Sequence, residues 1–186
     1  MPINRKIGSN LTPQVELIGE WNKTRTLLHL LPKLIKIGSL KGQQSAAKHF
    51  RRIVRRHIRN NGASLGWAPL SSAYKKSKGR RGFNPDRIYY ASGSYYNNIK
   101  VWRRGTKIFI GIKKNVKSKS SRSSLTIGMI ARILEYGSLT RNIPARPLWA
   151  PSYRDFGGGK RIKGFMTWHI RNQIFKATGV KAKITI

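Results

Sequence analysis

The 186-residue chain contains no cysteine. That excludes a disulfide framework and any thiolate-bound metal. Acid is nearly as scarce: five Asp plus Glu stand against 39 Lys plus Arg, a formal net charge of +34. Divalent cations held by oxygen need several acidic ligands together. Here Glu16 and Glu20 share one predicted helix, while Asp86, Glu135 and Asp155 are far apart. General acid–base chemistry needs a placed carboxylate or histidine with a partner, and no such pair is legible. His29, His49, His57 and His169 have no H-E-x-x-H spacing, so they mark no zinc-protease helix. His57 and His169 fall on apolar stripes and read as core or groove residues. Gly157, Gly158 and Gly159 precede no G-K-[ST], so they are no P-loop. No run approaches the ~18 apolar residues of a membrane span. The opening MPINRKIGSNLTP lacks the apolar core of a signal peptide. The expectation is a protein with no catalytic site, cofactor, metal or membrane contact, made in the cytosol.

What is present is apolar mass and positive charge. Hydrophobic residues make up 39%, with five Trp, seven Tyr and six Phe, which argues for one folded domain and against disorder. The charge is far beyond the magnitude of ~2–8 usual for a small soluble domain. A free monomer with that balance repels itself, so it calls for a polyanionic or acidic partner. Nucleic acid and acidic surfaces of neighbouring subunits both fit. A merely solvated basic surface is the plainer alternative.

The chain is organised around residues 125–149, LTIGMIARILEYGSLTRNIPARPLW. Ile127, Ile130, Ala131 and Leu134 recur at helical spacing. Gly137 is the residue type that tolerates the backbone past a helix end. Pro144 and Pro147 then lock two φ angles and hold Ile143 and Arg146 towards extended geometry. The result is a stiff loop that delivers Leu148 and Trp149 to a fixed place, with Glu135 where helix turns into loop.

Around this stretch, residues 1–12 read as an extended arm. Thr12 and Pro13 can open a helix carrying Val15, Ile18, Trp21 and Leu28, with Glu16 and Glu20 near its positive end. Pro32 is expected to end or kink it, and the run to Gly38 reads as helical or irregular. Residues 42–61 form the clearest helix. Ala46, Ala47, Phe50, Ile53, Val54 and His57 make its apolar stripe, and Lys48, Arg51, Arg52, Arg55, Arg56 and Arg59 fill the rest. It reads as a basic rod for a phosphate backbone or an acidic groove, or as a helix its arginines simply solvate. A turn at residues 66–70 docks Trp67, and Ser71 or Ser72 can cap a short basic helix towards Lys78. Residues 77–84, with Arg80 and Arg81, read as a flexible loop whose cations face DNA or a partner. Tyr89, Tyr90, Tyr95 and Tyr96 read as core and interface packing. Residues 99–104 and 107–113 alternate around Gly105-Thr106, a hairpin signal, with Trp102 and Phe109 on the face opposite Ile108 and Ile110. Residues 115–124 are Ser-rich, basic and flexible. Gly157 to Gly159 read as a hinge before a last helix through Ile162, Phe165, Met166, Ile170 and Ile174. Residues 180–186 alternate and could add a strand. The organisation is therefore an arm, 1–12, and one domain, 13–186, with a C-terminal helix and tail at 160–186.

Two boxes carry a resemblance. Residues 131–152, ARILEYGSLTRNIPARPLWAPS, resemble the late signature of the tailed-phage virion morphogenesis, or tail-completion, proteins: a short helix, an aromatic-Gly step, then I-P-A-R-P-hydrophobic. Residues 66–79, GWAPLSSAYKKSKG, resemble that group's W-x-P-L-S box with its Lys-rich continuation. With the sheet region between them they cover about half the chain. DRIYYASGSYYNN departs from the group by placing tyrosines where aliphatics are usual. The resemblance implies an α+β fold, a small antiparallel β-sheet flanked by amphipathic helices. It implies a homo-oligomeric ring in the virion neck, assembled in the host cytoplasm, between portal or adaptor and tail terminator or tube proteins. Packaged DNA or acidic neighbours would meet the positive charge. In that setting Glu135, Tyr136, Ile143, Pro144, Arg146, Pro147, Leu148 and Trp149 are contact residues. Glu135 and Arg146 are expected to fix the loop as a pair, so that Arg146→Ala spares the monomer fold and abolishes assembly. The competing reading is a strongly basic nucleic-acid-binding protein, ribosome-associated or DNA-binding.

Overall fold

A computed structural model describes residues 21–89, 92–113, 116–117 and 126–179, with side chains from Thr24 onward. The readings made above for residues 1–20, Tyr90, most of 115–124 and the strand at 180–186 lie outside the described residues. Within them, six helices and one two-stranded antiparallel sheet form an α+β fold.

One helix spans the whole body. Helix α1 runs Trp21–Arg59 without interruption, about 58 Å at 1.5 Å per residue. The reading that divides it at Pro32 and Gly38 is corrected here. Pro32 forfeits its bond to the carbonyl of Leu28, yet both residues are exposed. The freed carbonyl therefore belongs to a solvent-facing turn, where an unmade backbone bond costs far less than in the core. Gly38 and Gly42 have a different role. A Cβ at Gly38 would lie 2.6 Å from Cα of Ile170, and one at Gly42 2.5 Å from Cα of Met166. These are backbone atoms of α6 (Gly158–Thr178). Four residues forward on α1 answer four back on α6, so the helices run antiparallel and nearly touch. Glycine is chosen here for proximity, and its helix propensity is sacrificed.

The remaining elements gather on the C-terminal half of α1. Asn61 and Gly62, both at positive φ, stop the helix, and a Cβ on Gly62 would fall inside the Trp67 ring at 2.0 Å. Asn61 then clamps the next segment, donating to the carbonyl of Asp86 (2.6 Å) and accepting from Ile88 N (2.7 Å). Helix α2 (Ser72–Arg80) is capped by Ser71, whose Oγ accepts from Tyr74 N. It extends four residues, Ser77 to Arg80, into the segment read as a loop at 77–84. Helix α3 (Ser94–Asn98) leads into strands β1 (Lys100–Arg104) and β2 (Lys107–Gly111). Their register, Arg104↔Lys107 through Val101↔Ile110, has the Gly105-Thr106 turn the sequence predicts. Helix α4 (Ile127–Tyr136) is capped by Thr126. Helix α5 (Trp149–Phe156), absent from the sequence reading, joins α6 through Gly157 alone, at φ 92°. The expected hinge of three glycines shrinks to that residue, because Gly158 and Gly159 already belong to α6.

Two apolar clusters fix this arrangement. Val54, Ile58, Trp67, Tyr89, Tyr95, Ile99, Ile127 and Leu148 form the larger. Tyr89 sits between Trp67 and Tyr95, with ring centroids 4.7 and 4.8 Å away, so the core reading of these two tyrosines holds. Ala46, Ile53 and Phe156 form the smaller, against Phe165 of α6.

Candidate functional site: the proline loop and the cationic faces

The two boxes singled out in the sequence meet in space. Trp67 Nε1 donates to the carbonyl of Pro147 at 2.8 Å. Arg146 returns the contact: its Nε donates to the carbonyl of Ala68 (2.8 Å) and its Nη2 to that of Pro69 (3.0 Å). The Tyr89 hydroxyl donates to the carbonyl of Arg146 at 2.6 Å. Gly137 makes the fold-back possible, since a Cβ there would lie 2.8 Å from the carbonyl oxygen of Ile143. Ser138 and Ile143 then pair backbone to backbone, which leaves Leu139 to Asn142 as the loop tip.

Glu135 and Arg146 do not pair with each other, which corrects the expected pairing. Each fixes the loop through backbone. The Glu135 carboxylate accepts from Leu148 N (2.8 Å) and Trp149 N (3.2 Å). There it caps α5 at the end where negative charge is favoured. Arg146 is only 3% exposed, and burial pushes its pKa down, opposed by the nearby Tyr89. It stays charged, so its carbonyl partners are a condition of folding. These contacts lead to a different expectation from the sequence alone, that Arg146→Ala destabilises the monomer.

The expected contact residues divide by burial. Arg146 and Leu148 point inward, Leu148 with no exposed surface, so neither presents a surface to a partner. Glu135, Ile143 and Trp149 are half-buried, and Pro144 and Pro147 are exposed. Tyr136 is 77% exposed and Leu139, at the loop tip, fully so. Beside the loop lies an apolar groove of about 650 Å³, floored by Ile127, Ile130, Leu134 and Ile143 and reaching Arg141 at one end.

The basic residues divide too. Lys48, Arg52, Arg56 and Arg59 are exposed along α1, as are Arg80 at the end of α2 and Arg81 just past it. Arg51 and Arg55 are half-buried. Arg55 donates to the carbonyl of Ile99 and lies 4.8 Å over the Tyr96 ring, so it ties α1 to α3 and contributes less to the rod. The described carboxylates are all occupied. Asp86 holds Lys75 at 2.8 Å, Glu135 caps α5, and Asp155 lies 2.9 Å from Nε2 of His57. No described carboxylate is left to neutralise the exposed cations.

Two features escaped the sequence reading. Lys78 is fully buried and donates to the carbonyl of Arg87, and burial holds its pKa below the ordinary lysine value. Ser64, His57 and Asp155 line up, with Ser64 Oγ 3.3 Å from His57 Nδ1. The last set has the residue types of a nucleophile relay. However, Asp155 is 45% exposed, it meets Nε2 off the line of a hydrogen bond, and none of the three lines the groove by the loop or that beside the hairpin. Among the described residues no group of His, Cys, Asp and Glu is disposed to hold a metal ion, and no helix is long and apolar enough to cross a membrane. Comparison with family models, curated proteins and solved structures finds no match for this chain.

Proposed function

We propose that this chain is a structural virion protein of a tailed phage. In this reading it forms a ring in the neck that joins head and tail. One observation carries the contact-making part of the reading: every described carboxylate is engaged within the chain, while the exposed cations of α1 and of Arg80 and Arg81 have no described carboxylate as complement. Such a surface seeks anions, either packaged DNA or acidic neighbours. Among the described residues every carboxylate already has a partner within its own chain, so this reading places contacts between copies on apolar surface. Met129, Tyr136 and Leu139 offer it at the proline loop. The neck assignment itself rests on the order of the two boxes, and their interlock through Trp67 and Arg146 makes them one structural unit. Immunogold electron microscopy of particles carrying this chain tests it. Label at the head–tail junction supports it, and label elsewhere or none overturns it.

The second reading, a basic nucleic-acid binder, is favoured by the exposed cations of α1. It requires a monomer whose affinity for duplex DNA falls with salt at a log–log slope of about −5 for ~6 phosphate contacts.

A further inference from the structure

We propose that the outer face of the β1–β2 hairpin is a stacking platform for an unpaired nucleic-acid strand, built from the Trp102–Phe109 pair and the cations Lys100, Arg104 and Lys107 around it. The inference stands apart from the neck assignment. Register fixes which side chains share the face: Lys100, Trp102 and Arg104 on β1 answer Gly111, Phe109 and Lys107 on β2. Residues of the opposite face, Ile108 and Ile110, line a groove with Ala46 and Phe50 of α1 and with Tyr153. The outer face is therefore the one turned from the body.

Three observations point to the ligand. Trp102 and Phe109 lie nearly parallel, 5.8 Å between centroids and 12° between planes. Trp102 is half-buried and Phe109 is 39% exposed, away from both apolar clusters. A partly exposed aromatic pair outside both core clusters suits flat, sequence-tolerant partners such as bases. Next, Arg104 and Lys107 stand directly opposite each other, a like-charge pairing that destabilises a hairpin. Among the described residues no carboxylate relieves it: Asp86, Glu135 and Asp155 are all engaged elsewhere. A bound phosphate would relieve it. Finally, Gly111 places no side chain opposite Lys100, and the indole edge of Trp102 comes within 3.9 Å of where its Cβ would be. Residue 111 thus adds no side chain over that edge of the ring. Phosphates on the cations and bases on the rings match how single strands are gripped without sequence choice. A duplex, with its bases already stacked, can use only the cations.

The test is fluorescence anisotropy of the full chain with a labelled oligothymidylate and with a duplex of equal length, across salt. Wild type is expected to prefer the single strand. Trp102→Ala should weaken single-strand binding about 5- to 150-fold, the range for one lost stacked base, and leave duplex binding unchanged. Replacing Lys100, Arg104 and Lys107 together by Ala should reduce the single-strand salt slope by about 2, at ~0.7 per phosphate contact. That variant removes a repulsive pair, so it stays folded and decides the matter should Trp102→Ala unfold. Equal or tighter duplex binding by wild type overturns the proposal. So does a folded Trp102→Ala that keeps the preference, or an unchanged slope in the triple variant.

Discussion

Replacing Gly42 by Ala sets two effects against each other. In an exposed helix interior the change gains about 1 kcal/mol of helix propensity. At Gly42 the new Cβ would lie 2.5 Å from Met166 Cα, 2.8 Å from Met166 N and 2.9 Å from the carbonyl oxygen of Phe165. Carbon contacts relax at roughly 3.5–4.0 Å, so α6 must retreat by about 1 Å. Each obstructing atom is backbone, so no rotamer change relieves the clash. Overpacking of this kind costs about 1–3 kcal/mol, and the upper end applies because a whole helix moves. The net is a loss of about 2 kcal/mol, or roughly 4–8 °C in Tm for a chain of this size. Gly164→Ala is the internal control. It lies within α6 with nothing within 4 Å of its Cβ position, so it should gain up to about 1 kcal/mol. Gly38→Ala repeats the clash against Ile170. Combined with Gly42→Ala it should cost less than the sum, because one retreat of α6 serves both. Urea and thermal unfolding of the four variants decide the matter. A Gly42→Ala protein as stabilised as Gly164→Ala would refute close approach as the reason for these glycines.

Other outcomes follow from the loop and its core. Arg146→Ala should lose about 3 kcal/mol or more, since two carbonyls lose a charged donor at about 1.5–3 kcal/mol each; urea unfolding of the purified monomer would measure it, and wild-type stability would remove the structural role. Glu135→Ala should cost about 1–2 kcal/mol by uncapping α5, read from the same denaturation curves, with Glu135→Gln losing less because its amide oxygen still accepts. Alkaline pH should unfold the chain through Tyr89 and Tyr95. Burial raises both phenols above their ordinary value of 10.0, so the folded state binds more protons. Their contribution is intact below pH 10 and is lost as pH rises beyond it; Tyr89→Phe should flatten that fall in a pH series of denaturation midpoints. Lys78 acts in the opposite sense, because its lowered pKa makes the folded state gain as pH climbs towards 10.5.

Local features were legible in the sequence, and long-range ones were not. The hairpin was readable in register because Gly105-Thr106 and the flanking alternation specify it within a dozen residues. The Gly137 end of α4 was equally local. Helix α1 was misread because Pro32, Gly38 and Gly42 are breakers by propensity, and what keeps them helical lies elsewhere: a solvent-facing turn at one, the backbone of α6 at the others. The spacing of Gly38, Gly42 and Ala46 at every fourth residue was the available signal, a smooth stripe on one helix face. That the proline loop is fastened to the body was legible from Pro144 and Pro147. Its fastening was misassigned because Arg146 finds its acceptors at Ala68 and Pro69, far back in the chain, and nothing near Arg146 announces backbone carbonyls as partners. The contact of His57 with Asp155 likewise crosses most of the sequence.

The central claim is that copies of this chain associate through apolar surface and not through ion pairs between them. Mass photometry of the purified chain without nucleic acid, across a salt series, tests this most directly. Screening weakens repulsion between like surfaces, so the account predicts one discrete oligomer whose population rises with salt. An oligomer that dissociates as salt rises would reveal ion pairs between copies and contradict it.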